Sequence, residues 1–350
     1  MNCVSVIAGV LLLLCCCGID ASARVGAAVG INGGGLSYWG FPVFANAMAQ
    51  GQWLSVTAQG QWGTDYKELR GRQYLTPDQV MIRGIVYSLH ATQEGPSLGL
   101  WTVKWKGSAD IRANWGTYIS SLSTISSSGT FTDGVRVYNC STSGMGAIDI
   151  YNVDKNSPLT ELYVMLPDPS QPSHRSLPED TLFHPLYLQR ARERQWQYYR
   201  TMDLTATNDS PVQDWVDRRK PSHVLQLGVL NPRSPAPSYQ WASGNQSTGM
   251  SYEYIVNLAN ALDTNLWLNI PHLATDDFVR KLAQLVLYGS DGDSPYTKTM
   301  QHPVFSPLAE NLDLYVEYSN EIWSSGELHM SSLCGFFVIA CASNCLSVTV

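Results

Sequence analysis

The sequence predicts an α/β protein, with a parallel sheet, helical crossovers and a compact antiparallel β module. Three observations predict it. Between residues 185 and 319, runs with helical period alternate with short, buried-looking strands, the pattern of a parallel sheet with helical connections. Residues 55–166 read differently, as many short β-rich runs separated by Gly, Ser, Asn and Asp. Finally, residues 312–323 (LDLYVEYSNEIW) end a β-rich run in the polar pair Asn320–Glu321, followed by Trp323. That ending suits an active-site carboxylate at the C-terminal mouth of a parallel β-barrel.

The first 23 residues, MNCVSVIAGVLLLLCCCGIDASA, have the form of a secretory signal peptide. An apolar run over 4–17 precedes the small-x-small site Ala21-Ser22-Ala23. It is too short and poorly flanked to span a membrane, so the mature chain is expected to begin near Arg24, secreted and free of membrane. Cys3, Cys15, Cys16 and Cys17 would leave with it. Cys140, Cys334, Cys341 and Cys345 remain, which is neither a disulfide scaffold nor a metal-binding spacing. In a secreted chain the triplets at Asn139, Asn208 and Asn245 read as N-glycosylation sites.

Residues 24–54 read as a first strand (25–31), a glycine loop after Asn32 and a short helix over 42–50 with Pro near its start. No Gly-Lys-Ser/Thr follows the glycines, which excludes a phosphate loop. The module over 55–166 is sandwich-like, with strand-like runs at 85–90, 100–104, 109–113, 135–138, 147–151 and 162–166. It is either inserted after the first strand or set beside the sheet, and the strand preceding it favours insertion. Its Trp101, Trp105 and Trp115 suit a core or a sugar-stacking platform. Residues 167–184, rich in Pro and Ser over 167–178, read as a linker.

From 185 to 328 the reading is helix 185–197, strand 198–204, helix 252–262, strand 265–271, helix 276–287 and strand 312–319. Thr275 is the expected cap of the last helix, with Asp276 and Asp277 in its first turn. With the first strand, these make four βα units of a partial (β/α)8, TIM-type barrel.

Composition narrows the function. A net charge of −7 with 15% charged residues argues against nucleic acid, which wants a basic stripe. No cofactor or metal is expected, since acids at a helix start explain Asp276 and Asp277 more economically than a metal shared with His272. The strand ends supply Arg200 and Asp203, then His272, then Asn320 and Glu321. An acid, an amide, an imidazole and a guanidinium at one mouth suit glycoside hydrolysis, which needs two carboxyls about 5–9.5 Å apart. Alternation sets Asp203 on the face opposite Arg200 unless the strand ends between them. Glu317 lies about 13 Å before Glu321 along an extended strand, too far for its catalytic partner.

The succession YYRTMDL, W.DRR.P, YEYIVNLAN, WLNIPHLATDDFVRKLA and LYVEYSNEIW resembles a group of secreted proteins related to clan A glycoside hydrolases, often labelled cellulose-binding-domain proteins. The resemblance runs over about residues 29–326. It implies a barrel enzyme acting on β-linked polysaccharide, with Glu321 as general acid/base and Asn320 on the sugar 2-hydroxyl. Arg200, His272 and Trp323 are the implied substrate contacts. The family's nucleophile, a Glu on a seventh strand, has no counterpart here, and residues 329–350 do not follow the family's pattern. The expectation is therefore a chain truncated after the fourth strand. Its alternatives are a non-catalytic carbohydrate-binding or wall-associated protein and a non-functional gene-model fragment.

Overall fold

The computed structural model describes most of residues 30–320. Outside the described residues lie 1–29, 38–39, 58–64, 68–78, 89–97, 115–121, 129–131, 141–144, 232–237, 241–247, 294–302 and 321–350, and positions 155, 158, 160, 172, 174, 209, 224 and 228. The signal peptide, the tail 329–350, Trp115, Asn245, Glu321 and Trp323 fall there.

The described residues open with β1 (Gly30–Asn32) and a 3-10 turn over Ala47–Gln50. Nine strands follow: β2 (Gln52–Thr57), β3 (Asp65–Lys67), β4 (Gln79–Ser88), β5 (Gly99–Ser108), β6 (Asp110–Asn114), β7 (Leu122–Ser128), β8 (Thr132–Cys140), β9 (Met145–Tyr151) and β10 (Glu161–Met165). Helix α1 (Pro185–Arg192) and β11 (Tyr198–Arg200) come next, then the short β12 (Val229–Asn231) and β13 (Ser238–Gln240). The series ends with α2 (Tyr252–Leu262), β14 (Asn265–Ile270), α3 (Asp276–Tyr288) and β15 (Leu314–Tyr318).

Strands β1, β11, β14 and β15 form one sheet in that order, and every pair is parallel. The protein is thus a mixed α/β structure with a parallel sheet and few helices. Two antiparallel sheets, β10-β5-β8-β7 and β2-β4-β9-β6, enter the chain between β1 and β11, although those two strands pair directly. A small sheet, β12-β13-β3, joins the excursion after β1 to the excursion after β11.

Alternation along the parallel strands sorts the side chains. Tyr199, Leu266, Leu268 and Ile270 are buried in one cluster with Ile255 and Val256 of α2 and Phe278, Leu282 and Leu285 of α3. Both helices are locally specified. Ser251 accepts from the Tyr254 N–H and Thr275 from the Phe278 N–H, satisfying donors the first turn leaves open. Gly289 closes α3 in the left-handed region at φ 66°, where a Cβ would stand 1.8 Å from the Phe305 carbonyl oxygen.

The antiparallel sheets share a second core, built from Trp101, Val103 and Trp105 on β5, Ile111 on β6, Ile148 and Ile150 on β9, and Leu162 and Val164 on β10. Trp101 and Trp105 are 0% and 1% exposed, so both are core residues and neither is a platform for sugar. Ala47, Met48 and Leu225 belong to the same cluster and tie the module to the rest of the chain.

Several elements differ from the sequence expectation. The strand expected over 198–204 stops at Arg200. Beyond it the chain turns back, with the Thr205 N–H donating to the Thr201 carbonyl at 2.8 Å. The helix expected over 42–50 is only a 3-10 turn. Gln50 holds its approach in place by accepting from the Val43 N–H and donating to the Ser37 and Phe41 carbonyls. The helix expected to reach 197 ends at Arg192, and Gln195 is left-handed at φ 48°. The Pro- and Ser-rich segment after β10 is no free linker: Pro167 bridges Ser176, and Ser176 hydrogen-bonds to Thr102 at 2.7 Å.

The W.DRR.P segment is structural. The Arg218 guanidinium lies 3.8 Å from the Trp215 ring centroid and pairs with the buried Glu253 of α2 at 2.9 Å. Burial pushes the Glu253 carboxyl upward, and Arg218 opposes that shift. Arg219 is 0% exposed and donates to the Gly249 and Leu225 carbonyls and to the Thr248 hydroxyl.

Candidate functional site

The C-terminal ends of the four parallel strands bring a polar cluster together. Glu317, near the end of β15, is 7% exposed. Its carboxylate accepts from Arg200 Nε at 2.9 Å and Nη2 at 2.8 Å, from Trp267 Nε1 at 2.8 Å and from Asn269 Nδ2 at 2.9 Å. Four donors, two of them from a guanidinium, compensate the burial of this charge. The register explains the convergence: Asn269 stands beside Glu317 and Arg200 beside Trp267, all on the sheet face turned away from the helices.

Arg200 also reaches the strand end. Its Nη2 donates to Asn320 Oδ1 at 2.7 Å, and Asn320 Nδ2 donates to Asn208 Oδ1 at 3.0 Å. The Asn320 amide therefore has a fixed orientation. Ser319, which links β15 to Asn320, is left-handed at φ 58°, which costs a non-glycine residue about 1–2 kcal/mol. Two hydrogen bonds offset that cost. The Ser319 N–H donates to the Ile270 carbonyl at 2.8 Å, and its own carbonyl accepts from Asn269 Nδ2 at 2.9 Å.

The other end of the rim is built similarly. The Gly33 N–H donates to the Arg200 carbonyl at 2.8 Å, and Asn32 Nδ2 donates to Asp203 Oδ2 at 2.8 Å. A Cβ on Gly33 would lie 2.2 Å from the Tyr199 hydroxyl, so this close approach requires glycine. Because β11 ends at Arg200, strand alternation does not govern Asp203, and its exposed carboxylate reaches the rim.

Below the rim, Tyr198, Trp267 and Tyr315 form a half-buried aromatic row with ring centroids 5.2–6.2 Å apart. Arg200 Cζ stands 5.7 Å from the Trp267 ring centroid. His272 follows β14 in a turn and is half-buried. Its carbonyl accepts from the Tyr318 hydroxyl, which burial pushes upward in pKa.

The structure thus brings Arg200 and Asn320 into direct contact and sets His272 in the turn after β14. Glu321 and Trp323 lie outside the described residues, as does the glycosylation candidate Asn245. Asn139 is half-buried on β8, paired to both β5 and β7. Asn208, expected as a glycan acceptor, is exposed and is a direct partner of Asn320. The sequence reading passed over Glu317, Asn269 and Trp267 as site residues. A signal for the first two was present, since each is a polar residue flanked by apolar or aromatic ones within its strand, and buried polar groups need partners.

Chemically, Glu317 is saturated by donors and suits positioning, not proton transfer. Among the described residues no group of three or more His, Cys, Asp or Glu converges to hold a metal ion, and no helix is long and apolar enough to cross a membrane. Compared with known proteins, the chain matches no family model, no curated protein and no solved structure.

Proposed function

We propose that the parallel sheet represents four βα units of a TIM-type barrel and that its C-terminal rim is a glycoside hydrolase-like site of a secreted protein acting on β-linked polysaccharide. One observation carries this reading. Buried Glu317 holds Arg200, Arg200 orients the Asn320 amide, and Glu321 is the very next residue. A rigid amide beside a carboxylate suits a sugar 2-hydroxyl and the adjacent glycosidic oxygen.

In this reading Glu321 protonates the leaving oxygen and later activates water, and Asn320 holds the 2-hydroxyl. Trp323 and His272 contribute further sugar contacts, and Arg200 acts mainly through Asn320. The chemistry also needs a second carboxyl. Of the two carboxylates on the described rim, Glu317 is occupied by four donors, whereas Asp203 is exposed and accepts from Asn32. The core positions of Trp101 and Trp105 weigh against the rival in which the β module alone binds carbohydrate.

The test is reducing-end release from a panel of β-linked glucans, xylans and mannans, with binding followed by affinity electrophoresis. Hydrolysis by the wild-type chain, lost in Glu321→Gln with binding retained, is the expected result. Binding without hydrolysis, unchanged in Glu321→Gln, would sink the catalytic reading in favour of a binding protein.

A further inference from the structure

We infer that Asn208 is a substrate-positioning donor of this rim, specific for a hydroxyl oxygen of a neutral sugar, and is not a glycan acceptor. The inference rests on the glycan-directed reading of the rim. Asn208 is exposed on the turn after β11, and its Oδ1 is taken by Asn320 Nδ2 at 3.0 Å. That bond fixes which end of the amide faces outward. With the oxygen engaged, the two N–H groups are what Asn208 has left to offer a ligand.

Among the described residues no acceptor meets those N–H groups or the second N–H of Asn320. The two hydrogen-bonded amides therefore keep donors to spare, and their complement is an acceptor oxygen. Charge narrows the choice. The guanidinium of Arg200 is neutralised by Glu317 in direct contact, and the exposed charge that remains on the described rim is the Asp203 carboxylate. A uronate would meet that like charge, whereas a neutral hydroxyl would not. The sequon reading competes for the same atom, because N-glycosylation bonds the sugar to Nδ2.

Asn208→Asp decides the matter. The aspartate keeps an oxygen for Asn320 Nδ2 but replaces the outward donors with an acceptor. Binding of neutral β-glucan, xylan and mannan oligosaccharides, and of a uronate-containing oligosaccharide, would be titrated calorimetrically on the wild-type chain and the variant. The expected result is wild-type binding of a neutral oligosaccharide, little or no uronate binding, and about tenfold weaker neutral binding in the variant at an unchanged thermal midpoint. Asn208→Ser, smaller and neutral, guards against a folding defect in the aspartate variant and is expected to show a similar loss. Peptide mapping of the chain secreted from eukaryotic cells is expected to find Asn208 unmodified. Equal affinity in wild type and variants overturns the role of Asn208 while leaving the glycan-directed reading standing, and so does a glycan on Asn208 or a preference for the uronate. If the wild-type chain binds no oligosaccharide of the panel, the glycan-directed reading falls and this inference falls with it.

Discussion

The antiparallel module and the parallel sheet use similar residues for opposite ends. On β5 of the module, Trp101 and Trp105 point into a closed core and are almost wholly shielded from water. On β11, β14 and β15, the aromatics Tyr198, Trp267 and Tyr315 stand on the face away from the helices, half-buried beneath a polar rim. In both regions an aromatic-rich strand looks the same from its composition. What separates them is the neighbouring layer. A second sheet covers the module's aromatics, whereas the helices α2 and α3 occupy only one face of the parallel sheet, where the aliphatic residues are.

That contrast can be broken most forcefully in the module. Trp101→Ala removes a fully buried ring and is expected to cost about 3–5 kcal/mol, read as a lower denaturation midpoint at unchanged slope. A loss below about 1 kcal/mol would mean that β5 does not carry the core. The next effect belongs to the junction between the regions. His184 caps α1 from a fully buried position, and burial lowers its pKa from 6.5 to about 4, although the Pro167 backbone and the Asp168 carboxylate pull the other way. Between those values the unfolded chain binds the proton and the folded chain does not. This contribution to stability is therefore full above about pH 6.5 and declines as pH falls towards 4, by an amount on the order of 3 kcal/mol. His184→Asn keeps a capping acceptor and should flatten that part of the stability-versus-pH curve. A curve of unchanged shape in the variant would remove His184 as its source.

A smaller effect sharpens the comparison from the rim. Glu317→Gln leaves Arg200 facing a neutral amide and is expected to cost about 1–3 kcal/mol. It should also release Asn320, seen by NMR as loss of the contact between the side-chain amides of Asn320 and Asn208. Were that contact to persist, Asn320 would be held independently of the carboxylate.

Much of this arrangement was legible in the sequence, and the reasons are local. Helices α2 and α3 follow from apolar spacing and from Ser251 and Thr275 at their starts. Strands β14 and β15 follow from short apolar runs with defined ends. Strand β7, LSTISSS, was not legible, because its serines give no alternation and its place is set by pairing with β8. Strands β12 and β13 are three residues each and arise from pairing that reaches β3, far away in sequence. At the rim, Arg200 and Asn320 could be read from strand ends. The job of Glu317 could not, because spacing along one strand excludes it as a catalytic partner but says nothing of donors on two others. Asn208 read as a sequon because a triplet carries no sign of what its side chain will meet.

The direct pairing of β1 with β11 has a consequence for how the molecule assembles. Asn32 and Asp203, which meet at the rim, are 171 residues apart in sequence. Contacts of such span are slow to form from an open chain, because closing a long loop is entropically unfavourable. The pairing among the module's own strands, once formed, shortens that loop by drawing the two ends of the excursion together. Strand β1 leaves the ribosome well before its partner and can dock only once β11 has emerged. With three residues at one edge of the described parallel sheet, β1 is a place where hydrogen exchange should find the sheet opening early.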